Sequence, residues 1–342
     1  MVDSASVTIT VADRVAVVIP CYRVARSIAG VIAGIGPDVW RIYCVNDAST
    51  DDTATVLDSL ASADPRIRII HRASNGGVGA AVLDGYAAGH RDGAAVLVKI
   101  DGDGQMNPAL IANFAAPIIA GEADYVKGNR FFDIETVKRM PLRRLIGNAG
   151  LSFLAKASSG YWDLFDPVNG YTAIHAEVAA LLPTERIHKR YFFESDMLFR
   201  LGTLRALVLE LPIEAIYGDE VSHLNDWHCL ITFPFLHLRN LIKRVLYNHF
   251  LRNFSSASLN LMAGLIFILF GLGYGIYMWL KNVESGTFAS AGTVMLSALP
   301  FLIGVQLVLS FLIYDMQMKP TAPIHRRLEQ KRVLLAGRSA QV

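Results

Sequence analysis

Short apolar runs alternate with longer segments of helical periodicity over the first hundred residues. The runs are rich in Val and Ile and are followed by polar or turn-forming residues, as strands are; they occupy residues 15–19, 41–45, 66–70 and 94–100. Between them, apolar residues recur every three or four positions in 24–34, 51–61 and 78–90. This alternation predicts an α/β fold with a Rossmann-like, mostly parallel sheet.

After residue 124 the alternation loosens into a mixed region. Helical periodicity returns near 142–158 and 192–201, and a last strand is predicted near 207–211. We therefore predict one domain over residues 15–230. It follows a tail, 1–14, that lacks the long apolar core of a signal peptide.

The remaining sequence is strongly apolar. Hydrophobic residues make up 53% of the chain and charged residues only 18%, and two stretches, 253–280 and 285–314, contain no charge at all. Each is longer than the roughly 20 apolar residues that a membrane-spanning helix needs. The pattern predicts transmembrane helices at 255–281 and 289–314. The alternative, two buried helices of a soluble core, would need neighbours to cover every face.

A basic amphipathic helix is predicted directly before the first span, within residues 231–254. One face collects apolar residues and the opposite face collects polar and basic ones: Leu238, Leu241, Ile242, Val245 and Leu246 against Arg239, Asn240, Lys243, Arg244 and Asn248. Such a helix suits the surface of an anionic bilayer, although an ordinary domain helix with a solvated charged face has the same pattern.

The distribution of charge predicts an orientation. The net charge is only +2, and Lys and Arg are not massed into runs that would indicate nucleic-acid binding. Basic residues do flank the predicted spans on both outer sides, before residue 253 and in the tail 315–342. By the positive-inside rule both flanks are cytoplasmic, so we expect a multi-pass protein of the cell inner membrane whose α/β domain faces the cytoplasm.

Polar side chains gather where the predicted strands end, which is where parallel sheets bind ligands. Asp101-Gly102-Asp103-Gly104-Gln105 follows a buried strand. Its carboxylate and amide oxygens suit Mg²⁺ or Mn²⁺, and such an ion can bridge two phosphates. Taken alone, this motif is also consistent with an acidic turn that binds no metal.

Two further strand ends carry candidate ligand groups. Asp47 and Ser49 follow the second strand and could recognise a nucleobase and a ribose, although Ser49 equally resembles a helix cap. The segment from Asn75 to Gly79 is rich in glycine and opens a helix, so its backbone amides could meet sugar or phosphate oxygens.

Taken together, these motifs resemble the family 2 glycosyltransferases of the GT-A fold. The resemblance covers most of residues 15–211 and rests on four strand-end motifs: Val-Ile-Pro20-Cys-Tyr22, Val45-Asn-Asp47-Ala-Ser49-Thr-Asp51, Asn75-Gly-Gly-Val-Gly79 and Asp101-Gly-Asp103-Gly-Gln105. Lys127-Gly-Asn-Arg130, Asp166-Pro-Val-Asn169 and the two spans are similar to the polyisoprenyl-phosphate glycosyltransferases, a group that includes dolichyl-phosphate mannose synthases and bactoprenol glucosyltransferases.

The resemblance implies roles for individual residues. Pro20, Tyr22, Asp47 and Asp101 would surround the nucleotide, and Asp101, Asp103 and Gln105 would hold the metal. The acceptor phosphate would be met by Arg130, by Arg143 or Arg144, and by Asn148 in place of the family's serine. Ser222 would also contact it, followed by His223 where relatives often have lysine.

The roles of two further carboxylates remain open. Asp166 either orients an acceptor or donor sugar or belongs to a structural turn, since Asp-Pro favours turns. Asp196 either acts as a general base, as in sugar-to-sugar transferases, or interacts with a helix start. A phosphate acceptor is already largely a dianion at pH 7 and needs no strong base, which favours the supporting role for Asp196.

The sequence thus predicts a metal-dependent, inverting hexosyltransferase that moves one sugar from a UDP- or GDP-sugar to polyprenyl phosphate. The alternative is transfer to a lipid-linked saccharide with Asp196 as base. Repeated addition is not indicated, because the chain lacks the Gln-x-x-Arg-Trp motif of processive synthases. Expected partners are the nucleotide-sugar, the lipid phosphate and the bilayer, with a homo-oligomer conceivable through the spans; a nucleic acid is not expected.

Overall fold

The computed structural model describes residues 9–132, 142–214, 226–328 and 330. The chain divides into two compact units. The first comprises Met1–Asn240 together with Pro320–Val342, and the second comprises Leu241–Lys319.

The first unit is built on one mixed sheet. Within the described residues the sheet has seven strands: β1 (Val15–Cys21), β2 (Arg41–Asn46), β3 (Ile67–His71), β4 (Val96–Lys99), β5 (Tyr125–Asn129), β6 (Thr172–His175) and β7 (Val208–Pro212). Their order is β3-β2-β1-β4-β6-β5-β7. All neighbours are parallel except β6, which is antiparallel to both β4 and β5. The predicted α/β fold with a mostly parallel sheet is therefore confirmed as GT-A type.

Helices cover both faces of this sheet and continue beyond it. The described α-helices are α1 (Ile28–Ala33), α2 (Thr53–Ala63), α3 (Val78–Arg91), α4 (Ile111–Ile119), α5 (Leu142–Ser159), α6 (Ala176–Ala180), α7 (Phe193–Leu204), α8 (Asp226–Val245), α9 (Ser256–Ser285) and α10 (Ala291–Gln317), with a π-helical segment, Leu246–Arg252, after α8.

The five predicted strands and the helices of the sequence pattern all occur. The pattern did not indicate β5 and β6, because β5 contains Lys and Gly and β6 is only Thr-Ala-Ile-His.

The core lies on both faces of the sheet. Val15, Val17 and Ile19 face one hydrophobic cluster, while Ala16 and Val18 face the other, and all five are fully buried. A strand covered on both faces has no polar side, which is why β1 is a continuous apolar run.

The second unit contains the two predicted spans as long apolar helices. The most apolar windows of α9 and α10 have mean hydropathies of 2.0 and 2.2, and only 11% of each window is buried. The helices approach closely where glycines meet: a Cβ on Gly264 would lie 2.9 Å from the carbonyl oxygen of Gly304, and one on Gly304 would lie 2.8 Å from that of Gly264. Both helices are long and apolar enough to cross a membrane.

Helix α8 differs from the predicted amphipathic pattern. Asn240 and Arg244, expected on a solvated face, are 0% and 3% exposed. The side chains that point outward are mainly apolar, with Leu238 and Ile242 each 52% exposed. The prediction failed for the two buried residues because each finds a carboxylate inside its own unit: Asn240 bonds to Asp196, and Arg244 to Asp315.

Candidate active site

The acidic motif lies at the carboxyl end of β4, as predicted. Asp103 Oδ1 accepts a hydrogen bond of 2.9 Å from the backbone amide of Gln105, and Gly104 between them has a left-handed φ of +83°. That conformation favours glycine. The short turn brings the predicted metal-ligating side chains of Asp101, Asp103 and Gln105 to one edge of the sheet, where each is partly exposed.

A buried lysine lies beneath this motif. Lys99 is 2% exposed, and its Nζ lies 2.8 Å from Asp101 Oδ1 and 3.7 Å from Glu194 Oε1 on α7. Burial alone would lower the pKa of Lys99, but the carboxylates of Asp101 and Glu194 outweigh it and raise that pKa above its ordinary value. Lys99 is therefore a fixed positive charge that holds one oxygen of Asp101.

The residues present fit a hard divalent cation. Asp101, Asp103 and Gln105 supply two carboxylates and an amide, and Lys99 Nζ lies 2.8 Å from Oδ1 of Asp101. Such oxygen donors suit Mg²⁺ or Mn²⁺, whose remaining positions are usually filled by water and substrate phosphate. Within the described ranges no group of three or more His, Cys, Asp or Glu side chains forms a closed metal site. This arrangement is consistent with an open site that a diphosphate completes.

Asp47 is enclosed by the glycine-rich segment. Its carboxylate is 2% exposed and accepts hydrogen bonds from Arg72 and from the amides of Gly76 and Gly77, at 2.9 and 2.8 Å. Asn75 Nδ2 donates to the Asp47 carbonyl at 3.2 Å. The amides that the sequence offered to phosphate are thus bonded to Asp47 in this structure.

The other predicted nucleotide residues surround the same strand ends. Ser49 does not cap α2; its hydroxyl donates to the Cys21 carbonyl at 3.4 Å and accepts from the Arg23 amide at 3.2 Å. Pro20 is the one residue of β1 that is only partly buried, and Tyr22, directly after the strand, is 44% exposed. Gly79 is buried, and its amide donates to the Lys189 carbonyl at 2.9 Å.

Asp166 and Arg130 form one unit. Asp166 is fully buried, and its Oδ2 accepts from Arg130 Nε at 2.8 Å while its Oδ1 accepts from Arg130 Nη2 at 3.1 Å. The Arg130 side chain is 39% exposed. The two-bond contact fixes the plane of the guanidinium and presents it at the surface of the site.

Asp196 is bound on both oxygens by the protein. It is 1% exposed; Oδ1 accepts from Asn240 Nδ2 at 2.9 Å, and Oδ2 accepts from the His188 amide at 2.9 Å. Arg200 lies 3.7 Å away on the same helix. These contacts favour the supporting role over that of a general base.

Several predicted acceptor residues fall outside the described part of the chain. Ser222 and His223 lie in the gap 215–225, and the side chains of Arg143, Arg144 and Asn148 on α5 are not described. Their roles stay predictions.

Sequence reasoning missed three charged residues that shape the site. Arg72 binds Asp47, Lys99 binds Asp101, and Glu210 on β7 accepts from the amides of Phe165 and Asp166. The available signal was an ionisable residue within or next to an apolar strand, where burial demands a charged partner.

Comparisons with known proteins identify the family. The model of glycosyl transferase family 2 matches residues 16–181. Polyprenol monophosphomannose synthase of Mycolicibacterium smegmatis is 32% identical over 211 residues, which cover 60% of this chain and 78% of that protein. UDP-N-acetylglucosamine–dolichyl-phosphate N-acetylglucosaminyltransferase of Methanococcus voltae is 29% identical over 215 residues, covering 59% of this chain and 85% of that protein.

A solved structure shares the fold. Glucosyl-3-phosphoglycerate synthase from Mycobacterium tuberculosis, in complex with Mn²⁺, UDP-glucose and phosphoglyceric acid, superposes with a TM-score of 0.51 and 20% sequence identity. The match covers 67% of this chain and 79% of that chain.

Proposed function

The chain belongs to glycosyl transferase family 2, and on that premise we propose that it transfers one hexose from a UDP- or GDP-sugar to polyprenyl phosphate. The product is a lipid-linked sugar for cell-envelope glycans or protein glycosylation. The observation that carries the proposal is the pair formed by Arg130 and Asp166, which presents a fixed guanidinium to an anionic acceptor. The polyprenol monophosphomannose and the dolichyl phosphate in the relatives' names support the same acceptor class.

The hydrogen bonds of Asp166 and Asp196 support a phosphate acceptor, which needs no general base. A phosphate monoester is largely a dianion at pH 7, so its oxygen attacks without a strong general base. Both Asp166 and Asp196 are buried and hydrogen-bonded within the protein, which suits positioning better than proton abstraction. The attacking oxygen forms a bond to the anomeric carbon as the bond to the nucleoside diphosphate breaks. One such displacement inverts the configuration.

The donor is bound by the opposite part of the site. Asp101, Asp103 and Gln105 would hold Mg²⁺ or Mn²⁺, which supplies positive charge for the diphosphate leaving group. Lys99 keeps the Asp101 carboxylate in one orientation. Asp47 and Arg72, which close the glycine-rich segment around the second strand end, are the candidates for contact with the nucleobase.

The membrane helices bring the enzyme to its lipid substrate. Helix α8 exposes Phe235, Leu238 and Ile242 beside Arg239 and Lys243, a combination that suits an anionic bilayer surface. The basic flanks of the spans support a cytoplasmic catalytic domain, where nucleotide-sugars are available, and therefore a location in the cell inner membrane.

Transfer to a lipid-linked saccharide is the second candidate. It would require a base for a sugar hydroxyl, and the chain's candidate is Asp196. The bonds from Asn240 and His188 to that carboxylate count against it.

A donor panel tests the proposal. Purified protein with Mg²⁺ or Mn²⁺ and polyprenyl phosphate is incubated with radiolabelled UDP- and GDP-sugars, and transfer into the lipid phase is followed. We expect one donor to give an acid-labile lipid product, no product after EDTA treatment, and loss of at least about 100-fold in the rate for Asp103→Ala. Full activity of Asp103→Ala would overturn the metal assignment, and no lipid product with any donor would overturn the function.

A further inference from the structure

The turn 165–169, which carries Asp166, is held at both ends by two charged residues on neighbouring strands. Lys127 on β5 and Glu210 on β7 are register partners in the parallel β5–β7 pair, so both side chains lie on the same face of the sheet. Lys127 is fully buried and Glu210 is half-buried. Neither is a candidate ligand of the metal or the donor.

Glu210 holds the first end of the turn. Its Oε1 accepts from the amides of Phe165 and Asp166 at 2.9 and 2.8 Å, and its Oε2 accepts from Phe165 at 2.8 Å and from Asn129 Nδ2 at 3.2 Å. All of these partners are donors. A carboxylate is the side chain that accepts on both oxygens, whereas an amide would place an NH₂ group against one of the donors.

Lys127 holds the second end. Its Nζ donates a hydrogen bond to the carbonyl of Asn169, and the Asn169 side chain in turn donates to Asp166 Oδ2 at 3.1 Å. Asn169 Oδ1 accepts from the Tyr171 amide at 2.8 Å, which ties the turn to the start of β6. Both ends of the segment 165–169 are therefore fixed to the sheet.

Arg130 receives its orientation from this turn. Three of its donors, the backbone amide, Nε and Nη2, bond to the Asp166 carboxylate at 3.2, 2.8 and 3.1 Å. Any rotation or shift of Asp166 would turn the guanidinium with it. A misplacement of about 1 Å at a reacting group is enough to reduce a rate strongly.

We propose that Lys127 and Glu210 are positioning residues of the acceptor phosphate site, which fix the turn 165–169 and through Asp166 set the direction of Arg130. The inference rests on the proposed function, because it assigns this device to the phosphate of the acceptor. It adds two residues that touch neither substrate.

The experiment compares Glu210→Gln, Glu210→Ala and Lys127→Met with Glu214→Gln, a matched control at an exposed carboxylate four residues further on. The KM for polyprenyl phosphate and the KM for the nucleotide-sugar are measured separately. Hydrogen–deuterium exchange of the Phe165 and Asp166 amides is measured on the same proteins without substrate.

We expect Glu210→Gln to raise the KM for polyprenyl phosphate about tenfold and Glu210→Ala to raise it further, since a lost partner leaves buried donors unsatisfied. The donor KM stays within about twofold, and exchange at Phe165 and Asp166 becomes faster. Because Lys127 and Glu210 hold the same turn, we expect the KM for polyprenyl phosphate to rise less in the double variant Lys127→Met/Glu210→Gln than the two single-variant effects combined. Glu214→Gln behaves as the wild type.

The outcomes separate the inference from the function on which it rests. Unchanged exchange in Glu210→Gln overturns the inference whatever the acceptor is. Faster exchange with an unchanged acceptor KM also overturns it, because the turn would then be only structural. Failure of the wild type itself to use polyprenyl phosphate contradicts the proposed function, and the exchange result still decides whether Glu210 holds the turn.

Discussion

Single charged residues decide how this site is built. The sequence indicates Asp101, Asp103 and Asp47 as candidate ligand-binding residues because they follow apolar runs. In the structure each of them lies at the carboxyl edge of the sheet. Lys99 and Lys127 were not predicted as site residues, because a lysine near a strand end normally extends into solvent. Their burial follows from long-range contacts with Glu194 and Asn169, which local sequence patterns do not contain.

The pKa of Lys127 shows how demanding this burial is. Desolvation is the largest effect and lowers the pKa of Lys127, the nearby carboxylates of Glu194 and Asp166 only partly offset it, and Lys99 and Arg130 lower it further, so that the pKa is about 8. A buried lysine needs a polar partner. The Asn169 carbonyl is that partner.

Asp196 provides a test at the scale of one residue. Among the described residues, Oδ1 of its partner Asn240 is buried and has no hydrogen bond, so a flipped Asn240 amide can accept from the new NH₂ group in Asp196→Asn. We expect this variant to keep its transfer rate to polyprenyl phosphate within about threefold, because no proton has to be removed from the acceptor. Initial rates at saturating substrates measure the effect.

The competing role makes a clearly different prediction. Loss of a general base costs about 10²- to 10⁴-fold in rate. A drop of that size in Asp196→Asn, with the protein still folded by circular dichroism, would show that Asp196 takes part in proton transfer. Asp103→Ala, measured in the same assay, gives the rate expected when a metal ligand is lost.

Elements with clear periodicity were predictable, and those set by tertiary pairing were not. Strands β1 to β4 and the long helices follow from apolar period and length. Strand β6 has four residues and is stabilised by pairing with β4 and β5 on both sides, a context that no local window contains. Helix α8 was predicted as a helix, but the sequence pattern did not indicate that Asn240 and Arg244 are buried against distant carboxylates.

The pair of apolar helices offers a test at the scale of elements. Gly264 lets α9 approach the backbone of α10, whereas a Cβ on Gly273 of the same helix would meet no atom of the described residues within 4 Å. Overpacking of a close contact typically costs about 1–3 kcal/mol. Gly264→Leu is expected to lower the thermal midpoint of the purified protein in detergent, and Gly273→Leu is the matched control.

Equal melting of the two variants would show that the close approach does not stabilise the pair. Gly271 and Gly275 of α9 also pack within the chain, against Ser297 of α10. A contact between copies of the chain stays a prediction.

At the scale of the whole molecule, the chain returns to its first unit after the apolar helices. The sequence suggested a separate basic tail over 315–342, yet Asp124 accepts hydrogen bonds from the amides of Ile324 and His325, at 2.8 and 3.0 Å, and from His325 Nδ1 at 2.7 Å. The His325 ring stacks on His175, with centroids 4.3 Å apart. A contact between residues 201 positions apart leaves no local signal, so sequence reasoning could not find it.

Asp124→Asn tests this return. Burial would raise the pKa of Asp124, but its hydrogen bonds from His325, Leu207 and Ile324 outweigh burial and hold that pKa below its ordinary value. Asparagine keeps only one acceptor oxygen for these donors. We expect trypsin to cleave at Arg326 and Arg327 several times faster than in the wild type, as followed by mass spectrometry.

Asp58→Asn is the matched control, because the Asp58 side chain is 64% exposed and pairs only with His71 among the described contacts. If Asp124→Asn and Asp58→Asn were cleaved at the same rate, the bonds to Asp124 would not hold the segment in place.

The central claim is that the acceptor is a lipid phosphate, and a direct comparison of acceptors tests it. Purified protein in one lipid mixture receives the active nucleotide-sugar with polyprenyl phosphate, with the matching polyprenol, or with a lipid-linked saccharide. We expect transfer to polyprenyl phosphate and at least about 100-fold less to polyprenol, because polyprenol offers Arg130 no phosphate to bind and has no charged oxygen that can attack the donor. Transfer to the lipid-linked saccharide with none to polyprenyl phosphate would contradict it.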